Sequence, residues 1–226
     1  MFIGHYGVSF ALKARNKSIP LWILFIAVQL VDVLWGVFVL TGIEKVRIVP
    51  GITATNPFDL YYMPYTHSLV GALFWSAVGF GIYYLIRSRR KDPSDGGADS
   101  RLGSSLLVGL AVFSHWALDL VVHRPDLPLY DDTLKIGLGL WNYPAMAFGL
   151  EIILLFGGMF LYMRSTSASN VIGKFGMPVL GVVLIAAQSV VFFGAPPESP
   201  AAAAVTALLA YFLFAGATFW LARQRH

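Results

Sequence analysis

The chain has 226 residues, 57% of them hydrophobic and 12% charged, with a formal net charge of +4. Soluble domains carry about 25% charged residues, so this composition cannot cover a water-facing surface. It excludes a soluble enzyme, a nucleic-acid binder and a disordered chain. What remains is an all-α, polytopic membrane helix bundle, read from apolar runs of about 18 or more residues.

The first stretch, MFIGHYGVSFALKAR, has helical spacing of apolar residues and a basic end, but it is too short to cross a bilayer. It is expected to be a short helix, either interfacial or dipping into the membrane. Dipping would lift His5 by about 12–18 Å, close to the midplane. Its short apolar run followed by Lys13, Arg15 and Lys17 does not read as a cleavable signal peptide. Six crossing segments follow, at roughly 19–42, 66–86, 102–123, 139–163, 175–195 and 201–222. Helices are the form expected, because open strands leave backbone groups unsatisfied in lipid. Charged or Gly/Pro-rich loops separate them: RSRRKDPSDGGADSR, RPDLPLYDDTLK and GAPPESP. No internal repeat is evident. The chain therefore reads as one integral-membrane domain over 1–226, with the chemistry-bearing half in 1–125 and further helices in 139–222.

With this alternation, twelve of the sixteen Lys and Arg fall on one side: Lys13, Arg15, Lys17, Arg87, Arg89, Arg90, Lys91, Arg101, Arg164, Lys174, Arg223 and Arg225. The other side holds Lys45, Arg47, Arg124 and Lys135. The positive-inside rule then puts both termini in the cytoplasm. The basic balance is thus a topology signal and calls for no nucleic-acid partner. Cysteine is absent, so any metal must be held by His, Asp, Glu or backbone oxygen.

Three acids fall within the spans, namely Asp32, Asp119 and Glu151. Each costs about 2.5–3.5 kcal/mol at a helix centre, together on the order of 8–10 kcal/mol if unpaired. No Lys or Arg lies deep in any span. Protonation, a histidine partner or a bound cation must offset the cost, and His67, His115 and His123 lie in or at the spans, with His5 a candidate to join them. Acids and imidazoles without basic partners favour a metal.

The strongest local signal is SHWALDLVVH. His115, Asp119 and His123 recur every four residues and form one stripe on a helix. The stripe is about 12 Å long, too long for one ion. His123 is therefore expected either to serve a second ion or to meet substrate at the outer mouth. Asp32, His67, His115 and Asp119 all fall at about one level in the outer half of the bilayer, by span depth. Gln29, three residues before Asp32, is on the same face and is expected to be its partner. Glu151 is open between a further ligand, a general base and a protonated acid on a backbone carbonyl. Arg124 is open between binding an anionic group and snorkelling to the interface.

These motifs resemble a family, the bacterial inner-membrane metal-dependent hydrolases. GHYGVSFALKA looks like its opening Gly-His helix, YTHSLVGAL like its Thr-His-Ser motif, FSHWALD like its Ser-His-x-x-x-Asp motif, and LVDVLW more weakly like its Asp-containing turn. The resemblance covers residues 1 to about 125. It implies that His5, Asp32, His67, His115 and Asp119 are metal ligands, in a multi-pass protein of the bacterial inner membrane. The chain departs from the pattern at Leu34, where a second acid is common, and at Tyr62, Met63 and Pro64, where His-Arg-Gly is common. One well-held ion is favoured and a second is left open.

The expected function is hydrolysis of an ester or phosphoester, with a membrane lipid a suitable substrate. Zinc is the expected ion, activating a water. Asp32, Asp119 or Glu151 takes its proton, and Arg124 holds an anionic head group. Two other classes compete: a metal-cation or proton transporter, and a non-catalytic scaffold whose metal ties helices together.

Overall fold

The computed structural model describes residues 1–89 and 97–226. Arg90 and Lys91 of the basic count, with the centre of their loop, lie outside the described residues. The chain is an all-α bundle. Among the described residues, five helices are long and apolar enough to cross a membrane: α4 (Leu69–Arg89), α5 (Gly97–Val122), α6 (Pro144–Ser165), α7 (Val171–Phe193) and α8 (Pro200–Ala222). Before them come α1 (Ile3–Arg15), α2 (Leu21–Val28) and α3 (Leu30–Leu40).

Local chemistry starts several of these helices. Pro144 and Pro200 open α6 and α8, where a missing N–H costs nothing. Ser199 Oγ accepts from the Ala202 N–H at 3.1 Å, and Asn170 Oδ1 from the Gly173 N–H at 2.8 Å, capping α8 and α7. Large apolar side chains such as Phe74, Leu85, Ile153, Val190 and Leu213 point outward from the bundle. Such a surface suits lipid and not water.

Two expectations change. The first crossing segment is not one straight helix: α2 and α3 meet at Gln29 with a bend of 52°. They make a sixth span only if counted as a broken pair. The fourth span begins at Pro144, five residues later than its apolar run suggested, because Gly139 takes a left-handed conformation (φ +75°) and Leu140–Asn142 form a 3-10 turn.

The N-terminal helix is not interfacial. In α1, Ile3, His5, Tyr6 and Phe10 are fully buried, and α1 makes its most extensive helix contact with α6. Glycine makes that contact close: a Cβ on Gly158 would lie 1.9 Å from the Gly7 carbonyl oxygen, and one on Gly7 2.1 Å from the Leu154 carbonyl oxygen. Small residues let helix backbones approach in this way. Ser9 Oγ donates to the Leu24 carbonyl at 3.0 Å and joins α1 to α2.

One element was not expected. Residues 45–62 form an antiparallel hairpin of β1 (Lys45–Ile48) and β2 (Phe58–Tyr62), pairing Arg47 with Asp59. Val46 and Leu60 point inward and join Trp35, Met63 and Leu127 in a small apolar cluster. The hairpin lies beside the loop after α5, whose Lys135 Nζ donates to the Tyr61 carbonyl of β2 at 2.8 Å.

Candidate metal centre

Four separate segments bring imidazoles and carboxylates to one point. His5 comes from α1, Asp32 from α3, His67 from the turn before α4, and His115 and Asp119 from α5, with His123 just past its end. Asp119 is the hub. Its Oδ1 lies 3.2 Å from His5 Nε2, and its Oδ2 lies 3.1 Å from His115 Nε2, 3.5 Å from His123 Nε2 and 3.8 Å from His67 Nε2. Asp32 Oδ1 is 3.3 Å from His67 Nε2 and 3.5 Å from His115 Nε2. Two sets have their donor atoms all within 4.8 Å of one another: His5, His115 and Asp119, and Asp32, His67 and His115. The amino group of Met1 also lies 2.6 Å from Asp119 Oδ1.

The protons decide what this cluster can do. His115 Nδ1 is 2.7 Å from the Val28 carbonyl, which can only accept. That nitrogen therefore carries the proton, and Nε2 has the lone pair. Val28 ends α2, where carbonyls lack helical partners, so the bend at Gln29 sits where it can supply this acceptor. Thr66 Oγ1 donates its single proton to Glu44 Oε2 at 2.6 Å. Its 2.8 Å contact with His67 Nδ1 must then use the imidazole N–H. His123 Nδ1 is 2.9 Å from Asp126 Oδ1, and Arg124 Nε binds the other oxygen at 3.1 Å. Each of the three rings is thus held through Nδ1, which leaves Nε2 as the nitrogen each can offer a metal, beside the carboxylates of Asp32 and Asp119.

Imidazoles and carboxylates crowded in a buried site need a cation or shared protons to balance them; the Met1 ammonium beside Asp119 supplies one positive charge, and a metal ion would supply more. His115 Nε2 and both ring nitrogens of His5 are buried without a hydrogen-bond partner, although the His5 ring stacks on His115 at 4.0 Å. Imidazoles oriented through Nδ1 by a carboxylate or carbonyl are the usual outer shell of a metal site. The donor set therefore fits a divalent ion of the N/O-ligand type.

The expected 12 Å separation along α5 does not keep His115 and His123 apart. Their side chains lean inward and reach the same carboxylate oxygen. His123 remains at the edge, outside both close sets, with its ring 4.2 Å from Trp141.

Three residues do something other than expected. Gln29 does not partner Asp32; its Nε2 donates to the Phe2 carbonyl at 3.1 Å. Glu151 is in neither close set. Its Oε2 accepts from the N–H groups of Phe2 and Gly4 at 2.9 and 3.2 Å, and its Oε1 from Gln188 Nε2 at 2.8 Å. It holds the N-terminus of α1, as a carboxylate at a helix start does. Arg124 is neutralised: its guanidinium binds Asp59 Oδ1 at 2.5 Å as well as Asp126. Asp59 also pairs with Arg47 at 2.7 Å, so this chain of charges fastens the hairpin over His123 instead of presenting a free cation to substrate.

Two groups escaped the sequence reading. Tyr211 of α8 donates its hydroxyl to Asp32 Oδ2 at 2.7 Å. That bond stabilises the ionised carboxylate and turns Oδ1 toward the imidazoles. Glu44 accepts from the N–H groups of Tyr65 and Thr66 at 2.8 and 2.9 Å, besides the Thr66 hydroxyl. Burial pushes its carboxyl up from the ordinary value, and His67 and these donors oppose the shift. The Thr-His-Ser sequence thus has a structural reason: Thr66 orients His67, while Ser68 Oγ accepts from the Gly71 N–H at 2.9 Å and starts α4. Thr66→Val is expected to weaken metal affinity about 10–100-fold, the usual cost of losing an outer-shell partner. A zinc-competition titration on purified protein measures it, and unchanged affinity would show that Thr66 does not position His67.

Comparison of this chain with protein-family models, with curated proteins and with solved structures finds no match.

Proposed function

We propose that this chain is a membrane-embedded, metal-dependent hydrolase of an ester or phosphoester, with zinc as the ion and a lipid as a fitting substrate. The observation that carries the reading is the set of three imidazoles held through Nδ1 whose Nε2 atoms converge on the carboxylates of Asp119 and Asp32. His5, Asp32, His67, His115 and Asp119 would hold the ion, and His123 would border it. A divalent ion bound there supplies Lewis acidity and makes water a nucleophile near neutral pH.

The chain's own residues then divide the work. Asp32 is the one cluster carboxylate with appreciable exposure, 16% for its side chain against 2% for Asp119. With Oδ2 occupied by Tyr211, its Oδ1 would be the oxygen that takes a proton from water when the other four residues hold the ion and Asp32 does not. Asp119 stays buried and fixes the imidazoles. The apolar outer surface of the bundle favours substrates that arrive through lipid. The twelve-to-four division of Lys and Arg supports a plasma-membrane protein of bacterial type with both termini cytoplasmic.

His115→Ala tests this reading. Bound metal and any esterase or phosphatase activity should fall together, and metal content equal to wild type would remove the proposal. A second reading, cation transport, draws on one observation: the helix broken at Gln29 beside the cluster, a feature of ion sites in transporters. Uptake of labelled zinc into proteoliposomes separates the two.

A further inference from the structure

A second site lies at the opposite, basic end of the bundle. The carboxyl-terminal turn of α1, the start of α2 and the end of α8 enclose a cavity of about 590 Å³. Lys13, Lys17, Arg223 and Arg225 line it, with Trp22 and Phe219 among its apolar walls. Lys13 is eight residues from His5, so this cavity is about 12 Å further along α1 and separate from the metal centre.

Two of its cations are fixed in place by groups that carry no charge. Lys13 Nζ donates to the Lys17 and Ile19 carbonyls at 2.6 and 2.9 Å. The Arg225 guanidinium donates to the Gly173, Met163 and Thr166 carbonyls at 2.5, 3.1 and 2.9 Å, and to Thr166 Oγ1 at 2.9 Å. Carbonyls orient a cation without neutralising it. Lys17 and Arg223 are exposed at the rim, and the Arg223 guanidinium lies 4.7 Å from the centre of the Phe219 ring. Among the described residues, no Asp or Glu lines the cavity and none pairs with these four side chains; His226 also lines it, with its backbone oxygen accepting from the Ser167 N–H at 2.7 Å.

Scattered interfacial Lys and Arg set topology and meet bulk head groups one at a time. Here four cations converge on one concavity, two of them held rigidly, with aromatic rings beside them at the level where apolar helices end. Basic pockets between helices on the cytoplasmic side are suited to anionic head groups. We propose that this cavity binds the phosphodiester head group of an anionic phospholipid, with the acyl chains lying along the apolar faces of α2 and α8 near Trp22 and Phe219.

Native mass spectrometry of the detergent-solubilised full chain tests this. The probes are phosphatidylglycerol, phosphatidylcholine and inorganic phosphate. The expected result is one saturable phosphatidylglycerol per chain, bound in preference to phosphatidylcholine and not displaced by equimolar inorganic phosphate. Each neutralised rim cation should weaken retention about fivefold, so Lys17→Gln with Arg223→Gln should weaken it about twenty-five-fold. Both side chains are exposed, and an unchanged elution profile with unchanged metal content would show the variant to be folded. Equal retention of the two lipids, full retention by the folded double variant, or displacement by inorganic phosphate would each overturn the proposal.

Discussion

Asp119→Asn should abolish stoichiometric metal binding, with a loss beyond the 10–100-fold or so that an outer-shell partner costs. Asp119 is the one carboxylate within 3.8 Å of the Nε2 atoms of all four histidines, His5, His67, His115 and His123. Asparagine keeps its shape and removes its charge. The amide NH2 can also donate to the Nε2 lone pairs that the carboxylate faces without a proton. It cannot replace the carboxylate beside the buried Met1 ammonium, which lies 2.6 Å from Asp119 Oδ1, so the metal-free variant should melt below metal-free wild type. A thermal melt with and without zinc checks both halves. A variant that binds zinc as wild type does would show that Asp119 is not the hub.

Gly158→Ala should be almost as damaging, although Gly158 contributes no side chain to the cluster and the change adds one methyl group. The new Cβ would lie 1.9 Å from the Gly7 carbonyl oxygen, where an ordinary C···O contact is about 3.3 Å. The two backbones must part by about 1.4 Å. Because α1 carries His5, the separation moves a proposed ligand by a distance that in other sites costs about a hundredfold. The expected result is a folded protein with weakened metal binding and lowered thermal stability. Gly216→Ala is the control, because a Cβ there meets nothing within 4 Å. Equal metal affinity in Gly158→Ala and wild type would show that α1 does not deliver His5.

How much of this was legible in the sequence depends on how rigid the link is between a residue's position and its place. The stripe of His115, Asp119 and His123 is readable because a helix has a fixed period. Five of the six crossing segments are readable, because the bilayer sets a length; the first is a bent pair of shorter helices. The bend at Gln29 is not, since LFIAVQLVDV contains neither proline nor glycine. The hairpin strands have four and five residues, too short for alternation to stand out in a loop full of charges. Tyr211 and Asp32 are 179 residues apart, and a tyrosine in an apolar span reads as an ordinary aromatic. Glu151 looked catalytic because a buried acid needs a reason. Its reason is the N-terminus of α1, and that became visible only once α1 was seen packed into the bundle. Glu44 lies outside the spans, where an acid needs no partner, and only the Thr-His-Ser sequence signals that something must receive the Thr66 hydroxyl proton.

The central claim is that imidazole lone pairs and carboxylates share a cation. Elemental analysis of the purified full chain, after zinc loading and removal of excess metal, tests it most directly. The account predicts at least one tightly held divalent ion per chain, lost in Asp119→Asn. Folded wild-type protein that retains no divalent metal would contradict it.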